Sequence, residues 1–136
     1  MKKRKGIILA GGTGSRLMPM TGLLSKQVLP VYDKPLIYYP LSVLMLARIS
    51  EILVISSPEH LPQIRETILR IGNLGVEFEF ISQPRPEGIA QALILGEEFL
   101  DGSPCALILG DNIFFGDGFC DVLLNADQKG SAAQIF

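Results

Sequence analysis

Long apolar runs, clustered cysteines, histidine and an excess of charge of either sign are all scarce in this 136-residue chain, and each scarcity excludes something. The apolar stretch 7–10 follows a basic run, Lys2-Lys3-Arg4-Lys5, in the manner of a secretory signal, but it is far too short for one. The basic run reads instead as a solvated approach to a strand. The longest apolar stretch, 36–47, is interrupted by Pro40 and Ser42 and is too short to span a bilayer. Cys105 and Cys120 form neither a CxxC pair nor a Cys/His cluster, so neither a disulfide framework nor a zinc site is indicated. Buried free thiols in a reducing cytoplasm are the expectation. His60, beside Pro58 and Glu59 at a helix start, reads as a solvated end residue and not as a ligand. A net charge of −2 lacks the strongly basic footprint of a nucleic-acid or membrane-surface binder.

What is present is apolar residue in short, separated pieces. Hydrophobic residues make up 48% of the chain and charged residues 19%, a balance that fits a sheet buried on both faces, or a chain whose partner surface is missing. The length suits one domain, 1–136, with no linker, internal repeat or low-complexity tract to divide it. Strands are expected at 6–10, 51–56, 76–81 and 104–109, the third of them near an edge because apolar and acidic residues alternate along it. Helices are expected from Pro35 or Leu36 to about Ala47, over 61–71 and 88–100, and from Phe119 to about Ala126. A stub of strand is expected at 132–136. Alternation of strand and helix predicts a Rossmann-like, doubly wound, mainly parallel sheet in three α/β/α layers.

The first strand ends in Gly11-Gly12-Thr13-Gly14-Ser15-Arg16, with Ser25-Lys26-Gln27 following. Three glycines in four residues permit a tight turn and leave no Cβ between the backbone N–H groups and a ligand. Arg16 and Lys26 add fixed positive charge, so a polyanion such as a nucleoside triphosphate is the natural guest. Two familiar phosphate loops are excluded. A dinucleotide fingerprint begun at Gly12 and Gly14 requires glycine where Leu17 stands, and no Gly-Lys-Ser/Thr is present. In a doubly wound sheet, ligands lie beyond the carboxyl ends of strands where the strand order reverses. If the first and fourth strands are neighbours there, Asp111 faces the glycine loop and can hold Mg²⁺ against phosphate oxygens.

The stretches 9–17 and 25–30, with Pro19 and Thr21, closely resemble the sugar-1-phosphate nucleotidylyltransferases. The runs 31–42 (VYDKPLIYYPLS), 83–92 (QPRPEGIAQA) and 109–116 (LGDNIFFG) narrow the resemblance to the glucose-1-phosphate thymidylyltransferases, nearly end to end. Ser15 stands where that family usually has Thr, and Ile89 where it usually has Leu. The resemblance implies transfer of a nucleotidyl group from dTTP, or UTP, to glucose 1-phosphate, with Mg²⁺ as cofactor, in the cytoplasm, by a homo-oligomeric full-length enzyme of dTDP-rhamnose biosynthesis. It further implies that Arg16 and Lys26 neutralise the triphosphate and the departing pyrophosphate, that Gly11, Gly12, Thr13 and Gly14 supply backbone donors, and that Asp111 binds the metal. Gln83 and the backbone at Gly88 would read the pyrimidine edge. Gln27 and Gly11 would lie near the deoxyribose, and Leu9, Pro86 and Ile89 would pack on base or sugar. Tyr38 and Tyr39 are expected to pack the first helix. Family enzymes are longer, their second half supplying most of the sugar-phosphate site and a second metal-binding aspartate, so the chain reads as a truncated, nucleotide-binding half, inactive alone. Two rival readings stand beside this one: a non-catalytic pyrimidine-nucleotide module, and an oxidoreductase cofactor domain, which Leu17 and the lack of an acidic residue ending the second strand disfavour.

Overall fold

The computed structural model describes residues 2–12, 14–128 and 133–135. Strand β1 (Lys5–Ala10) leads through two 3₁₀ turns, Ser15–Leu17 and Lys26–Val28, to a two-stranded antiparallel hairpin, β2 (Pro30–Val31) and β3 (Lys34–Pro35). Helix α1 (Tyr38–Leu46), β4 (Glu51–Ser56), α2 (Leu61–Leu69) and β5 (Glu77–Ser82) follow. Two short helices, α3 (Gln91–Leu95) and α4 (Glu97–Leu100), then precede β6 (Cys105–Leu109) and α5 (Phe119–Gln128).

The main sheet has the order β5-β4-β1-β6, every pair parallel, with Ile8 opposite Val54 on one side and Ile108 on the other. The chain steps outward from β1 through β4 to β5, then returns to lay β6 on the far side of β1. That return makes the β1/β6 boundary the reversal point. β5 lies at the edge, as its alternating pattern predicts.

Side chains alternate across the sheet and divide the core in two. Ile8, Ala10, Ile52 and Val54 meet Ile37, Leu41 and Leu44 around α1 and Ile64 and Ile68 of α2, with Phe119 and Leu123 of α5 packed against them. Ile7, Leu9, Leu53 and Ile55 on the opposite face meet Ala92 of α3 and Phe99 of α4. Helices thus cover both faces, which gives the three-layer α/β/α arrangement.

Several expectations are corrected. The helix expected over 88–100 begins only at Gln91 and breaks at Gly96, whose α-carbon lies so close to Ile7 and Leu53 that an added Cβ would stand 3.1 Å from each. Helix and sheet approach closely there, so that a side chain would have to displace the ends of Ile7 and Leu53 by a few tenths of an ångström. The helix expected from Pro35 or Leu36 starts at Tyr38, because Lys34 and Pro35 are spent in the hairpin, whose turn holds Tyr32 at φ 62°. The strand expected over 132–136 has its ends outside the described residues, and 133–135 carry no strand. Both thiols are half-buried and free; burial pushes the Cys105 thiol up, against a smaller opposing effect of Arg4. His60 is half-buried, its Nδ1 sequestered without a hydrogen-bond partner among the described residues. Tyr38 and Tyr39 pack as expected, their hydroxyls donating to the carbonyls of Thr67 (2.8 Å) and Val31 (2.7 Å).

Leu53 is fully buried between the sheet and α3/α4, whereas Leu69 of α2 is half exposed. Leu53→Ala is expected to cost about 2–5 kcal/mol, and Leu69→Ala about 0.5 kcal/mol or less. Urea unfolding midpoints of the two variants check the contrast, and equal losses would contradict the assignment of the second core face.

Candidate active site

The carboxyl ends of all four strands of the main sheet deliver polar residues to one edge. Ala10 and Gly11 leave β1, Ser56 ends β4, Gln83 follows β5, and Gly110 and Asp111 follow β6. They are tied to one another by hydrogen bonds. The Ser56 hydroxyl donates to the Ala10 carbonyl (2.7 Å), Gln83 N–H to the Ser56 carbonyl (2.7 Å), and Gly110 N–H to the Leu9 carbonyl (2.9 Å).

Gln27 closes this edge from the loop side. Its side chain is buried, its Nε2 donates to the Gly11 carbonyl (3.2 Å), and its Oε1 accepts from the Ser25 hydroxyl (2.6 Å). Gly110 has no room for a side chain: an added Cβ would stand 2.9 Å from Ala10 Cβ, 3.0 Å from Ala10 Cα and 3.2 Å from Gln27 Cγ. The ends of β1 and β6 are therefore in contact, as the reversal-point rule predicts.

The glycine loop takes conformations that side chains resist. Gly12 lies at φ +103° and Gly14 at φ +60°, the latter capping the 3₁₀ turn that carries Arg16. Thr21 clamps Gly14, its hydroxyl donating to the Gly14 carbonyl (2.7 Å) and its methyl occupying the space a Cβ would need. Gly14, Ser15, Arg16, Leu17 and Lys26 line a cleft of about 400 Å³. The Lys26 ammonium pairs with the Asp111 carboxylate, the two side chains 29% and 33% exposed. Two cations and glycine backbone thus line the cleft, and one of the cations is paired with the carboxylate that follows β6.

Gln83 and Gly11 form a second part of the edge. Gln83 is buried, contrary to the surface position an isolated strand-end glutamine would take, and its Oε1 lies 3.1 Å from where a Cβ on Gly11 would stand. Leu9 belongs to the core face shared with α3 and α4. Pro86, Gly88 and Ile89 lie on the exposed 84–90 loop, Gly88 at φ +99°. Thr13 lies outside the described residues. The structure thus brings Gly11, Gly14, Arg16, Lys26, Gln27, Gln83 and Asp111 to one edge, with Pro86, Gly88 and Ile89 on the loop beside it. Sequence reading gave no role to Gln91, Ser25 and Gly110, which it met only as members of longer motifs. The signal for Gly110 was its place at the end of an apolar strand; a side-chain amide partner such as Gln91 has no sequence signal.

A larger groove, of about 630 Å³, lies elsewhere, between α2 and β5, lined by Leu61, Arg65, Leu69 and Phe80 among others. Its cation is already engaged over the Phe80 ring, 5.6 Å from the centroid, and no glycine loop opens onto it. Volume alone does not select the site; the chemistry of the smaller cleft does.

Among the described residues no three His, Cys, Asp or Glu side chains cluster as a metal cage. Asp111 offers a single carboxylate, paired with a lysine that lines the cleft. That donor set does not fit a cation held by protein alone; it fits Mg²⁺ held jointly by one carboxylate and the oxygens of a bound polyphosphate.

A parallel, doubly wound α/β sheet with a glycine loop and a carboxylate at its reversal point defines a class of nucleotide-handling folds. Residues 5–136 match the sequence model of the nucleotidyl transferase family, and the chain belongs to that family. Relatives include the glucose-1-phosphate thymidylyltransferase of Xanthomonas campestris pv. campestris (strain B100), 53% identical over 100% of this chain and 46% of the relative. That of Neisseria gonorrhoeae is 52% identical over 97% of this chain and 46% of the relative. A solved Bacillus anthracis structure, provisionally named glucose-1-phosphate thymidylyltransferase and containing sucrose, superposes with a TM-score of 0.82 at 41% identity, covering 93% of this chain and 52% of that one. A UDP-glucose pyrophosphorylase complexed with UDP-glucose gives a TM-score of 0.75 at 25% identity, covering 92% and 52%. The chain spans about half the length of the curated relatives it matches.

Gly110→Ala is expected to destabilise the protein by about 1–3 kcal/mol, since the backbone of β1 must yield to admit a methyl. Lys26→Met, which removes a partly solvated ion pair, is expected to cost about 1 kcal/mol or less. Urea unfolding of both checks this, and an undiminished Gly110→Ala midpoint would refute the close approach of β1 and β6.

Proposed function

We propose that these residues form the nucleotide-binding half of a glucose-1-phosphate thymidylyltransferase, which transfers a thymidylyl group from dTTP to glucose 1-phosphate and releases pyrophosphate. The observation that carries the reading is the junction of Arg16, Lys26 and Asp111 around the Gly11–Gly14 loop at the sheet's reversal point. The relatives' names support the substrate pair.

In the proposed reaction a phosphate oxygen of glucose 1-phosphate attacks the α-phosphorus in line, and the bond to the β-phosphate oxygen breaks. The protein does little covalent work; it positions the reactants and meets charge as it develops. Arg16 would take the oxygens of the departing pyrophosphate as a fork, Lys26 as a point charge. Backbone N–H groups of the 11–14 loop would hold the triphosphate chain. Asp111 would hold Mg²⁺, which when bound neutralises phosphate charge.

The Lys26–Asp111 pair suits an exchange of partners. Partly exposed ion pairs contribute about 1 kcal/mol or less, so a bound nucleotide can draw Lys26 onto phosphate and free Asp111 for a cation at small cost. Gln83 and the Gly88 backbone would face the base, Gln27 and Gly11 the deoxyribose, and Leu9, Pro86 and Ile89 the apolar surface of base or sugar. The half-buried free thiols are in keeping with a reducing cytoplasm. The likeness to a UDP-glucose pyrophosphorylase supports a second reading in which UTP is the nucleotide, and direct competition between dTTP and UTP separates the two.

In a protein of the relatives' full length, Arg16→Ala is expected to lower kcat by about 10²–10³ with little change in nucleotide affinity. A rise in KM with kcat unchanged would overturn the transition-state role. For the 136 residues alone, Mg²⁺ is expected to strengthen a weak affinity for dTTP, and Asp111→Asn to abolish that metal dependence. Calorimetric titrations with and without Mg²⁺ check it, and an unaltered metal dependence in the variant would favour a non-catalytic nucleotide module.

A further inference from the structure

Beyond β5, a relay of three side chains fixes which end of the Gln83 amide faces Gly11. Gln91, the first residue of α3, donates from Nε2 to a Glu87 carboxylate oxygen (2.9 Å). Its Oε1 accepts from the Glu87 backbone N–H (3.1 Å) and from Gln83 Nε2.

The polarity of this relay follows from two groups that have only one hydrogen-bonding sense. An ionised carboxylate can only accept and a backbone N–H can only donate. Glu87 supplies both, and together they dictate the orientation of the Gln91 amide. Gln91 then offers only an oxygen to Gln83, which must meet it with its NH₂ group. The remaining end of Gln83, Oε1, is turned toward Gly11 at the mouth of the site.

We propose that Gln91, held by Glu87, is a positioning residue that presents Gln83 to the base as an acceptor, and that this polarity selects bases with an N–H at ring position 3. This deepens the reading above and rests on Gln83 facing the base. Thymine and uracil carry N3–H and satisfy the oxygen. Cytosine carries an unprotonated N3 and would set one acceptor against another, leaving both desolvated and unpaired. Were the Gln83 amide free to flip, it could offer NH₂ to cytosine instead, and the selection would vanish.

The test compares dTTP with dCTP by calorimetric titration of the 136-residue chain, with inorganic pyrophosphate as a probe that has no base. The unsubstituted chain is expected to prefer dTTP. Gln91→Leu removes the partner that orients Gln83, and the preference is expected to fall about tenfold. The exchange E87Q/Q91E keeps the sense of the relay, because a carboxylate at 91 accepts from Gln83, from the backbone N–H at 87 and from the new amide. It is expected to retain the preference within about twofold. Pyrophosphate is expected to bind all three proteins alike, which a general loosening of the fold would not allow.

A preference unchanged in Gln91→Leu refutes the relay while leaving the base site standing. An exchange variant that behaves like Gln91→Leu refutes polarity as the cause. Absence of any dTTP preference in the unsubstituted chain overturns the base-facing role of Gln83 and this inference with it.

Discussion

The contact between the ends of β1 and β6 is the constraint on which the rest of the structure depends. Ala10 and Gly110 approach so closely that no side chain fits at 110, and Gln27 is wedged over the junction. Because β6 abuts β1 there, the carboxylate that follows one strand reaches a lysine on the cleft that the glycine loop of the other helps to line. The Lys26–Asp111 pair spans the two loops. Burial of Gln27 adds precision, since its amide must hydrogen-bond at both ends and so fixes both Gly11 and Ser25.

Much of this was legible in the sequence because apolar period and apolar length are local properties. Each strand of the main sheet was found within about a residue, and the adjacency of β1 and β6, the condition on which Asp111 would face the glycine loop, is met. The β2–β3 hairpin was not legible: it comprises two residues a side, two of the four are proline, and its turn uses Tyr32 at positive φ in place of the Asn-Gly or Asp-Gly pairs that announce such turns. The break at Gly96 was equally hidden, since it answers to Ile7 and Leu53, remote in sequence.

The candidate site divides along the same line. Gly11, Gly14, Arg16 and Lys26 could be read from a contiguous stretch whose residue types already suit an anion. Asp111 required topology as well as sequence. Gln83 alone reads as a surface residue, and its burial and its partnership with Gln91 and Glu87 appear only when α3 is laid across the end of β5. Polar residues buried by tertiary contact carry no periodic signal, so their partners cannot be read along the chain.

The central claim is that the nucleotide sits on the β1/β6 edge and not in the larger groove between α2 and β5. Backbone amide chemical shifts recorded during titration with dTTP and Mg²⁺ test it most directly. The account predicts the largest changes at Gly11, Gly14, Arg16, Lys26, Gln83 and Asp111. Changes concentrated at Leu61, Arg65 and Phe80, with the glycine loop unmoved, would contradict it.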